Sequence, residues 1–151
     1  MKPSFTVGIE EEYQTIDPET FDLRSHINAE IIAKGKRQLD EQVKSEMHQS
    51  VVEVGTGVCR NMKEARADIV NLRRSMVALA QANGLLLVAG ATHPFADWRV
   101  QDIYPDERYR QVVADLQLVA RSNLTPGLLP ISRGRRAPLC RFQSAPPPLK
   151  K

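Results

Sequence analysis

Four glutamates on two predicted strands are the side chains in this sequence that could do chemistry together. Glu10 and Glu12 lie in the stretch TVGIEEEYQT, where the alternation of apolar and polar residues over positions 5–16 predicts a β-strand. Successive side chains of a strand point to opposite faces, so Glu10 and Glu12 share one face about 7 Å apart, while Glu11 points the other way with Tyr13 as a salt-bridge or solvent residue. Two carboxylates at that separation could share a hard divalent cation, which prefers oxygen ligands.

Glu46 and Glu53 form a second acidic pair on the next extended segment. Their seven-residue offset gives them opposite parity on a regular strand, so they converge only if a bulge or break lies near His48 and Gln49. Spacing alone leaves three interpretations open: a solvated acidic face, a divalent-cation site, or paired general acid and base carboxylates. Glycosidases also use two carboxylates, but aromatic residues make up only 5% of this chain and offer no evident sugar platform.

The elements that must position these glutamates follow from hydrophobic periodicity. The clearest helix is capped by Asn61 and Glu64, ends at Gly84, and carries an apolar stripe of Ala65, Ile69, Leu72, Met76 and Leu79. A shorter helix is predicted within residues 27–41, and residues 85–91 read as a strand buried on both faces. A last helix is predicted from Pro105, with an inward face of Tyr109, Val112, Val113, Leu116 and Ala120.

Composition bounds the class of protein. The chain has 151 residues, of which 42% are hydrophobic and 26% are charged, as in one ordinary globular domain. No apolar run approaches the roughly 20 residues of a membrane span, and the N-terminus lacks the apolar segment of a secretory signal. Cys59 and Cys140 suggest neither a disulfide framework nor a metal-binding spacing. We therefore expect a cytoplasmic protein with no membrane partner.

The charge is distributed unevenly along the chain. Residues 125–151 contain six basic residues and no acidic one, so they carry a charge of +6. Because the whole chain carries +3, residues 1–124 carry −3. A mildly acidic body does not favour a nucleic-acid partner. Six of the ten prolines also lie after position 124, where helical and strand periodicity vanish. We predict one domain over residues 1–124 and a Pro/Arg-rich tail without regular structure over residues 125–151.

Three stretches resemble the glutamate–cysteine ligase type 2 family in order and spacing: FTVGIEEEYQTIDPET, VKSEMHQSVVEVGTGVCRNMKEARADIVNLRR and ATHPFADWRVQDIYPDERYRQVVADLQLVAR. The likeness runs from Phe5 to about Leu124. It implies an ATP-dependent carboxylate–amine ligase, often with weak glutamate–cysteine ligase activity, that forms an amide bond through an acyl phosphate. The implied fold is α+β: the N-terminal part of a glutamine synthetase-like antiparallel sheet funnel flanked by helices. The implied partners are a glutamate-like carboxylate, an amine acceptor and a second copy in a homodimer.

The same resemblance implies a cation site. Carried over by motif, the expected metal ligands are Glu10, Glu12, Glu46 and Glu53, which would hold Mg²⁺ or Mn²⁺ with ATP as co-substrate. No residue is assigned as catalytic.

The stretch THPFADWR is the second candidate site, since loops after buried strands often contact substrates. Thr92 and His93 could hydrogen-bond the amino-acid substrate, and Arg99 or Arg108 could pair with a carboxylate. The alternative is that His93 packs the loop and Arg108 lies on a helix surface. His48 and Cys59 are expected to be packing residues.

The resemblance fails after Leu124. There the family pattern continues into a strand with an H-x-H motif, whereas this chain reads TPGLLPISRGRRAPLC, with Gly127 and Leu128 in register and both histidines absent. We expect a truncated or frameshifted chain that is marginally stable and inactive as a ligase alone. Two other interpretations stay open: a non-catalytic remnant that binds a metal or a partner through an open sheet edge, and a basic-tailed interaction module.

Overall fold

The computed structural model describes residues 5–25, 28–39, 42–124 and 126–134. Five strands and four helices occur in this part of the chain. The strands are β1 (Phe5–Ile16), β2 (Val43–Ser45), β3 (Val51–Gly55), β4 (Leu86–Val88) and β5 (Leu128–Gly134), and the helices are α1 (Asn28–Leu39), α2 (Met62–Gln81), α3 (Glu107–Leu116) and α4 (Leu118–Ser122). A short 3₁₀ helix covers Trp98–Val100.

The strands form one antiparallel sheet in which β1 is central. The order is β2-β3-β1-β4, and β5 also pairs with β1. On one edge of β1, residues Glu10–Gln14 pair with β3. On its other edge, Phe5–Glu11 pair with β5, and Gln14–Ile16 pair with β4. The mixed helix-and-strand class with an antiparallel sheet is therefore confirmed, and the sheet is open over the described residues.

Helix α2 covers one face of this sheet, as its sequence predicts. All five residues of the predicted stripe are buried, and Asn61 Oδ1 accepts from the Glu64 amide at 3.0 Å. Gly84 follows the helix with φ of +70°, a left-handed conformation that favours glycine. The helix contacts β1 and β4, and it contributes to a core of Tyr13, Ile31, Ile32, Val43, Val52, Val54, Ile69, Leu72, Met76, Leu79, Ala80 and Leu85.

The second half of the chain departs from prediction in three elements. β4 is only three residues long and half-buried, where a longer strand buried on both faces was expected. The last helix begins at Glu107 behind an Asp106 cap and breaks at Gln117, whose φ is +48°. The inward face predicted for this helix is wrong over α3, which has no buried residue and leaves Leu116 exposed, whereas Ala120 in α4 is buried.

β5 is the third difference, since no strand was predicted after position 124. It pairs with β1 through its backbone from Leu128 to Gly134, and such pairing needs no hydrophobic periodicity in the added strand. Pro130 fits because β5 pairs only with β1 among the described strands, and proline is tolerated in edge strands. Residues 135–151 lie outside the described part of the chain.

Glu11 ties β1 to α2 from inside the protein. The residue is only 4% exposed, and its Oε2 accepts from Arg73 Nε at 2.8 Å. A second Arg73 nitrogen pairs with Oε1, and the Tyr13 hydroxyl donates to Oε2. The hydrogen bonds from Arg73 hold the pKa of Glu11 below its usual range. Of the two roles expected for Glu11, salt bridge or solvent residue, the structure selects the salt bridge.

Among the described residues, none of the helices is both long enough and apolar enough to cross a bilayer.

Replacing Arg73 with methionine should test the pair between Glu11 and Arg73. We expect Arg73→Met to lower the free energy of unfolding by about 2–3 kcal/mol, less than for a fully buried pair because the Arg73 side chain is 54% exposed. Because the pKa of Glu11 is lowered on folding, its contribution is present above the ordinary carboxyl pKa and is lost on acidification. The difference between wild type and variant should therefore shrink below about pH 4 in urea titrations. Arg74→Met, at the exposed neighbouring position, is the control, and equal losses in both variants would contradict the assignment.

Candidate metal centre

The pairing of β1 with β3 places two of the predicted glutamates side by side. Glu12 and Glu53 are direct partners across the two antiparallel strands. Directly opposite residues have their side chains on the same face of a sheet, about 5 Å apart at Cβ. This face is the one opposite α2, because Glu11 and Tyr13 alternate to the helix side. The sheet register thus brings together two carboxylates that are 41 residues apart in the sequence.

A chain reversal brings in the third glutamate. β2 ends at Ser45, β3 begins at Val51, and the Val51 amide donates to the His48 carbonyl at 3.0 Å in the turn between them. The break expected near His48 and Gln49 is therefore present. Because Glu46 lies in the turn just beyond β2, it and Glu53 are not on one regular strand. Their seven-residue offset therefore does not place them on opposite faces.

The three carboxylates of Glu12, Glu46 and Glu53 form a group that we call the acidic triad. One oxygen of each lies within 4.8 Å of the others, and all three residues are half-buried. A cavity of about 140 Å³ adjoins the triad and is lined by Glu12, Glu46, Met47, His48, Val51 and Asn123. Three oxygen ligands at this separation suit a hard cation such as Mg²⁺ or Mn²⁺, so the residues present fit the ion that the resemblance implies.

Backbone amides orient two of the three carboxylates. The Gly127 amide donates to Glu12 Oε2 at 2.6 Å, and the Glu12 amide donates to the Gly127 carbonyl at 2.9 Å. The Met47 amide donates to Glu46 Oε1 at 2.8 Å. Each carboxylate keeps further lone pairs for a ligand, since one carboxylate can accept about four hydrogen bonds.

The triad is electrostatically costly as it stands. Burial raises the pKa of Glu12, and the nearby charges of Glu46, Glu53 and Glu10 raise it further, against the Gly127 hydrogen bond. Burial likewise raises the pKa of Glu46, and the charge of Glu53 adds to this effect. Like charges held together in this way are stabilised by a proton or a cation.

The fourth predicted ligand, Glu10, lies outside this group. It shares the face of Glu12, but Glu10 Oε1 is 3.9 Å from Lys44 Nζ. The same Lys44 nitrogen is 3.2 Å from Glu53 Oε1. The structure therefore brings Glu12, Glu46 and Glu53 together and leaves Glu10 paired with a lysine beside them.

Comparison with known proteins identifies the family. The profile of Glutamate-cysteine ligase family 2 (GCS2) matches residues 6–130, a segment that includes all four glutamates. The chain belongs to this family.

Named relatives agree with the match. A protein of Solibacter usitatus named "Putative glutamate–cysteine ligase 2" is 62% identical over 128 residues, which cover 85% of this chain and 33% of the relative. Proteins of the same name from Herpetosiphon aurantiacus and Sorangium cellulosum are 54% and 53% identical, over 82% of this chain and 32% and 33% of the relatives. The chain thus spans about a third of the length of the curated relatives that it matches.

Two of the four substrate-binding candidates in this GCS2 chain contact neighbouring protein groups. His93 Nδ1 accepts from the Ala96 amide at 3.0 Å, and its Nε2 lies 2.9 Å from the Phe21 carbonyl. His93 therefore fastens its loop to the turn after β1, as the loop-packing alternative states. Arg99 Nε is 3.2 Å from Asp97 Oδ1, and its guanidinium lies over Trp98.

Thr92 and Arg108 are the other two candidates. Thr92 is exposed in the same loop as His93. Arg108 stacks on the Tyr109 ring at 5.6 Å, and its charge lowers the pKa of Glu46 against the larger effect of burial. Arg108 thus has an electrostatic link to the triad, although none of the four belongs to the lining of the triad cavity.

His48 and Cys59, which were expected to be packing residues, are both buried. His48 is buried in the wall of the triad cavity, where its Nε2 lies 3.0 Å from the Arg121 carbonyl. Burial lowers its pKa. Cys59 is buried, with its sulfur 3.3 Å from the Gly57 carbonyl.

Three residues that take part in the site were missed from sequence. Lys44 shares the parity of Glu46 on an extended segment, and that spacing was a usable signal. Tyr109 donates to the Ser45 carbonyl at the end of β2 at 3.2 Å, and burial with the charge of Glu46 raises its pKa to about 12. Gly127 acts through its backbone, for which side-chain patterns offer no signal.

The electrostatic cost of the triad predicts that removing one charge stabilises the protein in metal-free buffer. Glu12→Gln keeps an oxygen to accept from Gly127 and removes repulsion, so we expect the free energy of unfolding at pH 8 to rise by on the order of 1 kcal/mol. A carboxyl whose pKa is raised on folding opposes folding while it is ionised, and this penalty fades as the pH falls toward the ordinary carboxyl range. The gain should therefore vanish near pH 4–5 in urea titrations. Glu19→Gln makes the same change at an exposed position, and a gain equal to that of Glu12→Gln, or independent of pH, would contradict the prediction.

Proposed function

We propose that this chain carries the divalent-cation-binding part of an ATP-dependent carboxylate–amine ligase of the glutamate–cysteine type. The observation that supports this most directly is the convergence of Glu12, Glu46 and Glu53 within the segment that matches the GCS2 family. The names of the relatives support the reaction class, which joins the carboxylate of a glutamate-like substrate to an amine acceptor. In the proposed mechanism the carboxylate is activated as an acyl phosphate before the amine attacks.

The barrier in such a reaction is mainly electrostatic, and the triad is suited to it. The terminal phosphate of ATP and the substrate carboxylate are both anions, so they repel each other on approach. A bound Mg²⁺ or Mn²⁺ supplies charge neutralisation and orientation of the phosphates. The residues of this chain would do three things: Glu12, Glu46 and Glu53 hold the cation, the Gly127 and Met47 amides fix two of the carboxylates, and the charge of Arg108 acts near Glu46.

The remaining parts of the proposal rest on the family resemblance. They are a funnel-shaped glutamine synthetase-like sheet and a homodimer. A cytoplasmic location is proposed from composition, and substrate contacts by Thr92, His93, Arg99 and Arg108 are proposed from the position of the stretch THPFADWR and the helix after it. The matched segment amounts to a third of the length of the relatives. We therefore propose that the 151-residue chain binds a cation without carrying out ligation on its own.

A second function is favoured by the open sheet. Among the described strands, β5 pairs only with β1, so the other edge of its seven-residue backbone faces no strand. Such an edge can accept an additional strand from a partner. A non-catalytic chain that binds a cation or a partner through this edge is the alternative to a ligase fragment.

Cation titration tests the proposed centre. Calorimetric titration with Mn²⁺ should detect binding to the wild-type chain, and Glu12→Gln should weaken it roughly tenfold or more, because one of three charged ligands becomes neutral. Glu19→Gln should bind as wild type does. Equal Mn²⁺ affinity in wild type and Glu12→Gln would refute the metal assignment.

Phosphate release separates the ligase fragment from an active ligase. With ATP, Mg²⁺, glutamate and cysteine, we expect the purified chain to release no phosphate above the rate of Glu12→Gln. Glutamate-dependent release that Glu12→Gln abolishes would show that the chain is itself an active ligase, contrary to our expectation.

A further inference from the structure

Lys44 stands in a row with two triad residues across three strands. In the pairing of β2 with β3, Lys44 is the direct partner of Glu53, and in the pairing of β3 with β1, Glu53 is the direct partner of Glu12. Directly opposite residues share a face, so the three side chains lie side by side on the face opposite α2. The sheet itself therefore places an ammonium group at the border of the acidic triad.

This ammonium contacts two carboxylates at once. Its Nζ is 3.2 Å from Glu53 Oε1 and 3.9 Å from Glu10 Oε1. The Lys44 side chain is 53% exposed, whereas those of Glu53 and Glu10 are 17% and 30% exposed. Lys44 thus reaches in from the solvent side over two less exposed acids, and it is not part of the lining of the triad cavity.

We propose that Lys44 is a built-in counter-ion that holds Glu10 and Glu53 and competes with the divalent cation for Glu53. This inference rests on the proposed function, and it adds a residue that sets how tightly and where the cation binds. Glu53 is the shared group, since it belongs to the triad and is also the closest partner of Lys44. Glu10, held by the same ammonium, is kept out of the cation site.

The sign of the effect follows from charge. An ammonium beside a site for a doubly charged cation repels that cation, and it must release Glu53 if this carboxylate is to turn fully toward the ion. Release is easy because a lysine ammonium is strongly hydrated on a flexible stem, and Lys44 is half-exposed. A lysine that only supported the local structure would have the opposite effect, since its loss would loosen the site and weaken cation binding.

The test is Mn²⁺ affinity of the full chain, measured by calorimetry without nucleotide. Lys44→Gln should bind Mn²⁺ roughly three- to tenfold more tightly than wild type, because a repelling charge is removed while the stem length is nearly kept. Lys44→Arg keeps the charge and should stay within about twofold of wild type. Lys63→Gln removes the same charge from α2, on the other side of the sheet, and should also stay within about twofold.

Thermal unfolding in metal-free buffer gives a readout that needs no cation. Without Mn²⁺, Lys44→Gln should unfold a few degrees below wild type, because the acids lose a contacting counter-ion. Saturating Mn²⁺ should then raise the unfolding midpoint of Lys44→Gln by more than that of wild type. Lys63→Gln should show neither effect.

The outcomes separate this proposal from the proposed function. If Lys44→Gln binds Mn²⁺ more tightly than wild type while Lys44→Arg and Lys63→Gln do not, the counter-ion role of Lys44 is supported. This holds even if wild-type binding is too weak to detect. Unchanged or weaker binding by Lys44→Gln, while Glu12→Gln still weakens binding roughly tenfold or more, overturns the counter-ion and leaves the metal centre standing. Failure of wild type and Lys44→Gln alike to bind Mn²⁺ overturns both.

Discussion

The alternation of side chains along β1 is the constraint on which the rest of the structure depends. Because consecutive residues of a strand face opposite ways, one run of three glutamates serves two separate surfaces. Glu11 is buried under α2 with Arg73 and Tyr13, whereas Glu12 faces the acidic triad. A slip of one residue in the register of β1 would turn every side chain of the strand to the other face. Glu12 would then be buried under α2, and Glu11 would lose its pairing with Arg73. The pairing with Arg73 therefore fixes which glutamates reach the site.

The two faces of the sheet shift the pKa of their carboxyl groups in opposite directions. On the α2 side, a full set of donors stabilises the ionised form of Glu11 and lowers its pKa. On the other side, burial and mutual repulsion raise the pKa of Glu12 and Glu46, so the ionised triad opposes folding. Proteins often keep such unfavourable charge at functional sites and offset it by stabilising contacts elsewhere. The well-packed core beneath α2 is where this chain gains that stability.

Local patterns in the sequence predicted the two longest elements and much of the triad. The stripe of α2 and the alternation of β1 are strong periodic signals, and the opposite parity of Glu46 and Glu53 required the break that the structure contains. The failures have physical causes. β5 is held by backbone pairing, the helix break at Gln117 leaves no periodic mark, and Gly127 acts through its amide. All four glutamates were assigned as ligands by motif, and the pairing of Glu10 with Lys44, which depends on the register of β2 with β3, was not predicted.

Cation binding and folding should be linked in this chain because of where the triad residues stand. Glu12 comes from β1, Glu53 from β3 and Glu46 from the turn between β2 and β3, so one bound ion would join β1 to a hairpin that lies far along the sequence. The unfolded chain cannot present this arrangement, so the free energy of cation binding adds to the stability of the folded state. The ion would also remove the repulsion that opposes folding on this face. The proposed cation would therefore stabilise a sheet that, over the described residues, is open at β5 and carries like charges at its centre.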